Sequence, residues 1–89
     1  MNLFNSFLFL TLLFLPNKIQ AQSALLESVK RNPQEAKELC NRFKELNSQG
    51  ISANSDITLQ EVANKKNLSK LDAEILSMYV IGLNCPDVK

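Results

Sequence analysis

The residues of this chain best suited to chemistry are its two cysteines, Cys40 and Cys85, within 89 residues that include no histidine. Two thiols can form an intramolecular disulfide, pair with another chain, react as free thiols or bind a metal. A zinc site would lack ligands, because zinc ordinarily takes four nitrogen or sulfur donors. Two cysteines in an exported chain most often pair with each other, and the N-terminus described below indicates export. We therefore predict a disulfide within the chain, with intermolecular pairing and a reactive thiol as alternatives. We predict no metal site and no cofactor.

Acid–base and nucleophilic chemistry find little support in the remaining residues. Histidine, the commonest general base, is absent. Asp72 and Glu74 are two residues apart and would not face each other on a helix. Tyr79 lies among apolar neighbours and is predicted to pack in the core. Gly50 and Gly82 are too far apart to form a phosphate-binding loop. We predict that the chain is not an enzyme and has no catalytic residues.

Residues 59–83 have the spacing of a helix-turn-helix pair, with a turn at Asn67. In a DNA-binding protein the second helix of such a pair reads base edges in the major groove. Here that helix opens with Lys70, Asp72 and Glu74, and phosphate repels the two acids. Residues 22–89 also carry nine basic and nine acidic side chains with the signs interleaved. We predict no nucleic-acid partner.

The N-terminus carries an apolar run from Leu3 to Leu15, about 13 residues long. A helix needs roughly 20 apolar residues to cross a bilayer, whereas a run of this length matches the apolar part of a secretory signal. Ala21 occupies a position suited to signal peptidase. We predict a signal peptide at residues 1–21, export to the periplasm or the extracellular space, and no stable membrane span after cleavage. A retained anchor is the alternative.

The remaining part of the chain, residues 22–89, has room for only a small hydrophobic core. Below roughly 70–80 residues, one core seldom leaves more than about 3–5 kcal/mol of net stability. A bond between Cys40 and Cys85 would close a loop of about 46 residues. Such a loop contributes about 4 kcal/mol in the chain-entropy model. The predicted disulfide therefore supplies stability that is comparable to the total expected for the domain.

Helix signals divide residues 22–89 into three or four segments. Residues 23–31 form a short candidate helix. Asn32 is a candidate N-cap for the next helix, because Pro33 follows it and Glu35 lies three residues on. That helix is predicted to end at Gly50, with Glu38 and Arg42 supporting its outer face. Its apolar stripe comprises Ala36, Leu39, Cys40, Phe43 and Leu46.

Two further caps predict the helices of the C-terminal half. Thr58, three residues before Glu61, opens a short helix, and Asn67 forms the turn after it. Ser69 then caps a last helix over about residues 70–83. The second half of this helix is apolar nearly all round, which predicts a central, buried helix. We therefore predict an all-α, single-domain bundle of three or four helices.

The order of motifs from Glu38 onward resembles a small exported actinobacterial domain of unknown function. The shared order is Cys40, Gly50, a Leu68-Ser69 turn and an apolar helix that ends in Cys85 and proline. The ending Tyr-Val-Ile-Gly-Leu, followed by Cys-Pro-Asp-Val, is similar to that of short uncharacterised proteins of marine picocyanobacteria. The resemblance implies an exported bacterial protein with a helical fold and a Cys40–Cys85 disulfide. It implies no activity.

These observations predict an exported small helical protein that acts as a non-enzymatic interaction module. A small apolar-ligand carrier, with a pocket between the helices, is the alternative. A cytoplasmic helix-turn-helix DNA-binding protein is the less favoured one. A protein partner is expected, although neither its identity nor the oligomeric state follows from the sequence.

Overall fold

The computed structural model describes residues 17–89 as backbone, and side chains from Gln22 onward. These residues form four α-helices and no strand: α1 is Asn17–Arg31, α2 Pro33–Ser48, α3 Asp56–Lys66 and α4 Lys70–Asn84. The predicted all-α fold with three or four helices is confirmed. Residues 1–16 of the predicted signal peptide lie outside the described part of the chain.

Helix α1 begins earlier than the predicted start at residue 23, because its backbone is already helical at Asn17. Residues 17–22 contain no glycine or proline, so nothing in this stretch interrupts a helix. Helix α2 begins as predicted. The backbone N–H of Glu35 donates to Asn32 Oδ1 at 3.3 Å, and Asn32 Nδ2 donates to Glu35 Oε2 at 2.9 Å. This reciprocal pair satisfies donors at the open end of the helix.

The predicted end of α2 is also confirmed. Gly50 has a φ of +78°, a left-handed conformation that glycine adopts without a steric penalty. The backbone N–H groups of Gln49 and Gly50 donate to carbonyls of the last helical turn, at 3.0 Å each. The chain therefore leaves α2 in the manner that a glycine just beyond the last helical turn permits.

The predicted cap of α3 was wrong by one turn. Thr58 does not cap this helix: Ser55 does, with its hydroxyl accepting from the N–H of Thr58. Thr58 itself is buried, and its hydroxyl donates to the carbonyl of Ser52 at 2.8 Å. The carbonyl of Ser52 accepts from both hydroxyls, at 2.8 Å each. The backbone decides between them, because Ser55 is extended, as an N-cap residue is, whereas Thr58 already lies within the helix.

The turn into α4 confirms the prediction closely. Asn67 adopts a left-handed φ of 55°, which asparagine tolerates better than most residues. The Ser69 hydroxyl then accepts from the N–H of Asp72 at 3.0 Å. Helix α4 begins at Lys70 and ends at Asn84, one residue beyond the predicted range.

Helix α4 is the central element, because it packs against each of the other three described helices. The core that it shares with them includes the fully buried Phe43 and Val80. The predicted burial of the second half of α4 is wrong at Met78, Gly82 and Leu83, which are exposed. Leu71 and Met78 are each 65 % exposed, since α1, α2 and α3 pack on one side of the helix and leave its opposite side open.

Candidate functional site

The solvent side of α4 carries a stripe of apolar residues where a surface helix ordinarily carries polar ones. Leu71, Ile75, Met78 and Gly82 are separated by four, three and four residues, which places them along one face of a helix. Leu71, Met78 and Gly82 are exposed, and Ile75 is partly buried. We call these four residues the open face of α4.

The opposite side of α4 explains why this stripe points outward. Ala73, Leu76, Ser77 and Val80 are buried against the other helices. The hydroxyl of Ser77 donates to the carbonyl of Ala73 at 2.8 Å, so its burial leaves no unpaired polar atom. Helix α4 is therefore apolar on two sides. One side packs in the core, and the described residues leave most of the other side exposed to solvent.

Two further apolar side chains are exposed outside the open face. Ile57, in the first turn of α3, is 68 % exposed, and Leu83, near the end of α4, is 57 % exposed. Lys70 forms an ion pair with Asp56, which brings the starts of α3 and α4 together beside Ile57 and Leu71.

An open groove runs along one edge of the open face. The side chains of Glu74, Met78 and Ile81 form its wall on α4, and the opposite wall comes from residues 53–54 and 88–89. The C-terminal segment is held in place there because the backbone N–H of Ala53 donates to the carbonyl of Lys89 at 2.8 Å. A partner on the open face would therefore also meet a groove with polar and apolar walls.

Asn47 holds this groove together and was not recognised from the sequence. Its Nδ2 donates to the carbonyls of Ile51 and Lys89, at 3.0 and 2.9 Å, and its Oδ1 accepts from the N–H of Lys89 at 2.7 Å. One amide side chain thus joins the end of α2, the following connector and the C-terminal segment. Lys89 lies 42 residues from Asn47 in the sequence, and no local sequence pattern predicts a contact over that separation.

Cys40 and Cys85 are joined in a disulfide, with their Cα atoms 6.0 Å apart, a separation that suits this bond. Cys40 lies on the buried stripe of α2, and Cys85 follows the last residue of α4. They are 5 % and 1 % exposed, so the bond lies inside the core. It ties the end of α4 to the middle of α2, as predicted, and leaves the open face uncovered.

A second link joins α2 to α3 through charged side chains. Arg42 donates to both carboxylate oxygens of Glu61, at 2.8 and 2.7 Å, and forms an ion pair with Glu45 at 3.2 Å. Arg42 was predicted to pair with Glu38, and it pairs with Glu45 and Glu61 instead. The hydrogen bonds from Arg42 lower the pKa of Glu61. Near the other end of α2, Lys66 pairs with Glu35.

A carrier of small apolar ligands needs a cavity between its helices that is large enough for the ligand. A cavity between α1, α2 and α4, beside Val29, Leu39 and Leu76, has a volume of about 10 Å³. A single water molecule needs roughly 10–15 Å³, so this cavity is too small for an apolar ligand. Among residues 17–89, no group of three or more His, Cys, Asp or Glu side chains is placed to hold a metal ion.

The helix-turn-helix alternative requires a polar reading surface on α4. The open face instead presents Leu71, Ile75 and Met78, and Asp72 and Glu74 flank it. Base edges are read by arginine, lysine, asparagine or glutamine side chains, which this face does not carry. None of the four described helices combines the length and the apolar character that crossing a membrane requires.

One protein-family model matches this chain, over residues 26–85, and its description reads domain of unknown function, DUF8664. The match begins within α1 and ends at the second cysteine, so it includes the whole of α2, α3 and α4. No curated protein and no solved structure matches the chain.

Proposed function

Because the chain belongs to the DUF8664 family, whose description names no activity, we propose a function from its surface: it is a non-enzymatic interaction module. In this proposal the open face of α4 binds an apolar segment of a protein partner. The observation that carries it is the exposure of Leu71 and Met78, each 65 %, on a helix whose other side already fills the core.

Exposure of these side chains has a thermodynamic consequence. Burial of a Leu or Met side chain contributes about 1.5–3 kcal/mol when it is complete. Leu71 and Met78 retain about two thirds of that surface in water, so a partner that covers both gains a few kcal/mol, roughly 2–4. Ile57 and Leu83 expose further apolar surface on α3 and α4, and exposed apolar patches of sufficient size mark interaction sites.

Export of the domain is part of the proposal. The apolar run at residues 3–15 and Ala21 support a cleaved signal peptide, and the buried disulfide suits an oxidising compartment. The resemblance to exported actinobacterial and picocyanobacterial domains supports the same location. Intact-mass measurement of the protein recovered from cells, before and after alkylation, tests both the processing site and the state of the thiols.

The interaction itself is tested by site-specific photo-crosslinking in the cells that naturally produce the protein. The full chain carries p-benzoylphenylalanine in place of Met78, or in place of Gln60 as the control. Gln60 is exposed on α3 and is not one of the four residues of the open face. We expect a discrete protein adduct at position 78, at least fivefold more abundant than at position 60. Equal yields at both positions, or none at position 78, would contradict the proposal.

A further inference from the structure

We propose that the partner on the open face of α4 is a second copy of the same helix. In this arrangement the two α4 helices pack antiparallel, around a two-fold axis that passes between Ile75 and Met78. This inference rests on the proposed function, because it names the partner of the same surface.

The spacing of the open face is that of a helix–helix seam. Intervals of four, three and four residues between Leu71, Ile75, Met78 and Gly82 reproduce the alternation of d and a positions in a heptad. The stripe spans 12 residues, or roughly 16 Å along the helix at a rise of 1.5 Å per residue. This length corresponds to about three turns of contact between two helices.

The sizes of these residues favour the antiparallel arrangement. Around the proposed axis, Leu71 of one copy meets Gly82 of the other, and Ile75 meets Met78. An exposed leucine side chain therefore faces the position without a side chain. Gly82 is exposed, and a Cβ atom added there would meet nothing within 4 Å. No contact within the described chain requires glycine, although helices tolerate this residue poorly. A closely approaching second helix supplies a reason for it.

The charges on α4 select the same orientation. Asp72 and Glu74 flank the first half of the open face, whereas residues 79–83 carry no charge. A parallel pair would place the acids of both copies near each other, which is unfavourable. An antiparallel pair places them beside the uncharged second half of the other copy.

The size of the apolar surface predicts the strength of the association. Leu71 and Met78 together with the neighbouring exposed residues form a patch of roughly a few hundred Å² per copy. A stable dimer buries about 800 Å² per partner. We therefore expect a reversible dimer with a dissociation constant above about 10 μM. Such an association forms where the protein is concentrated or held locally.

The experiment is sedimentation velocity on the protein purified after expression of the full chain, from 10 μM to 2 mM. We expect the weight-average sedimentation coefficient to rise from the monomer value towards the dimer value. Met78→Glu is expected to weaken the association at least tenfold. The matched control Gln60→Glu adds the same charge on α3 and is expected to change it less than twofold.

A second pair of variants tests the register. Gly82→Leu fills the position that receives Leu71 and is expected to weaken the association at least tenfold. Its melting temperature is expected to stay equal or rise, because the site is open and leucine is the better helix former. The double variant with Leu71→Ala exchanges the large and small residues. We expect it to associate at least threefold more strongly than Gly82→Leu alone.

A protein that stays monomeric at 2 mM, or an association insensitive to Met78→Glu, would overturn the dimer. Failure of the Leu71→Ala and Gly82→Leu combination to recover any association would overturn the antiparallel register, and the proposal with it. These results are distinguishable from failure of the proposed function. A monomer that still forms a fivefold-enriched adduct with a different protein at position 78 retains that function and loses only the second copy.

Discussion

Asn47 is the single residue whose contacts reach furthest across the fold. Its amide makes three hydrogen bonds, two of them to Lys89, and thereby fixes one wall of the groove beside α4. The residue type alone did not predict this role, because an asparagine near the end of a helix is common. Only the folded chain brings residues 47 and 89 together, so the contact depends on tertiary structure.

Replacing Asn47 with alanine is expected to lower the free energy of unfolding by about 1–3 kcal/mol, since each lost hydrogen bond contributes about 0.5–1.5 kcal/mol. Denaturation in urea measures the change. Asn41→Ala is the matched control, because Asn41 is also helical but exposed on α2. It should change stability by less than about 0.5 kcal/mol. Similar losses for both variants would show that Asn47 has no special role.

Glu61 makes the stability of the domain dependent on pH. The hydrogen bonds from Arg42 lower the pKa of Glu61 in the folded protein. A carboxyl group with a lowered folded pKa stabilises the fold above its unfolded pKa of about 4.3. That contribution is lost as the pH falls through the folded value. Both side chains are more than a third exposed, so the effect is small.

Glu61→Gln is therefore expected to lower the melting temperature at pH 7 by less than about 5 °C. The difference from wild type should shrink as the pH falls below about 4.3, because the wild-type carboxylate then becomes protonated. Thermal denaturation between pH 2 and 7 follows this change. A difference that stays constant over the whole range would exclude Glu61 as its source.

At the scale of the elements, three helix starts depend on local side-chain chemistry. The sequence predicted two of them, at Asn32 and Ser69, because each has an acid three residues on and one clear cap. It assigned the third to Thr58 instead of Ser55. The two hydroxyls lie 2.9 Å apart in the folded protein, and the Ser52 carbonyl that engages Thr58 could not be located by a linear pattern.

The assignment at α3 has a direct test. Ser55→Ala removes the cap and is expected to lower the free energy of unfolding by about 0.5–2 kcal/mol. Ser23→Ala, on the exposed surface of α1, is the control and should change it by less than about 0.5 kcal/mol. Chemical denaturation of the two variants compares them. Equal stability of Ser55→Ala and wild type would mean that another group caps α3.

Helix α4 shows where sequence patterns reach their limit. Its apolar residues correctly predicted a central helix, and α4 does pack against all three other described helices. A helix whose second half is apolar nearly all round does not reveal which side faces the core, however. That choice depends on where α1, α2 and α3 pack, and the outcome leaves Leu71 and Met78 exposed. The candidate site was therefore missed by the same pattern that predicted the helix.

At the scale of the whole molecule, the disulfide joins the two helices that contribute most to the core. It was the easiest long-range contact to predict, because only two cysteines are present. The bond connects positions 45 residues apart, and the loop-entropy contribution for that length is about 4 kcal/mol. A domain of this size has few other sources of comparable stability.

Cys40→Ser is expected to lower the melting temperature of the oxidised protein by roughly 15–30 °C. In reductant, the variant and the wild type should melt at similar temperatures, since neither then has the bond. Differential scanning calorimetry with and without reductant provides the comparison. A wild-type protein that melts at the same temperature in both conditions would show that the bond contributes nothing.

The central claim is that α4 has one apolar side in the core and a second that remains free for a partner. The most direct measurement is the free energy of unfolding of Met78→Gln and Leu76→Ala at 10 μM, below the expected dimer range. We expect Leu76→Ala to lose about 2–5 kcal/mol and Met78→Gln less than about 0.5 kcal/mol. A loss at Met78 as large as that at Leu76 would place the open face in the core and contradict the claim.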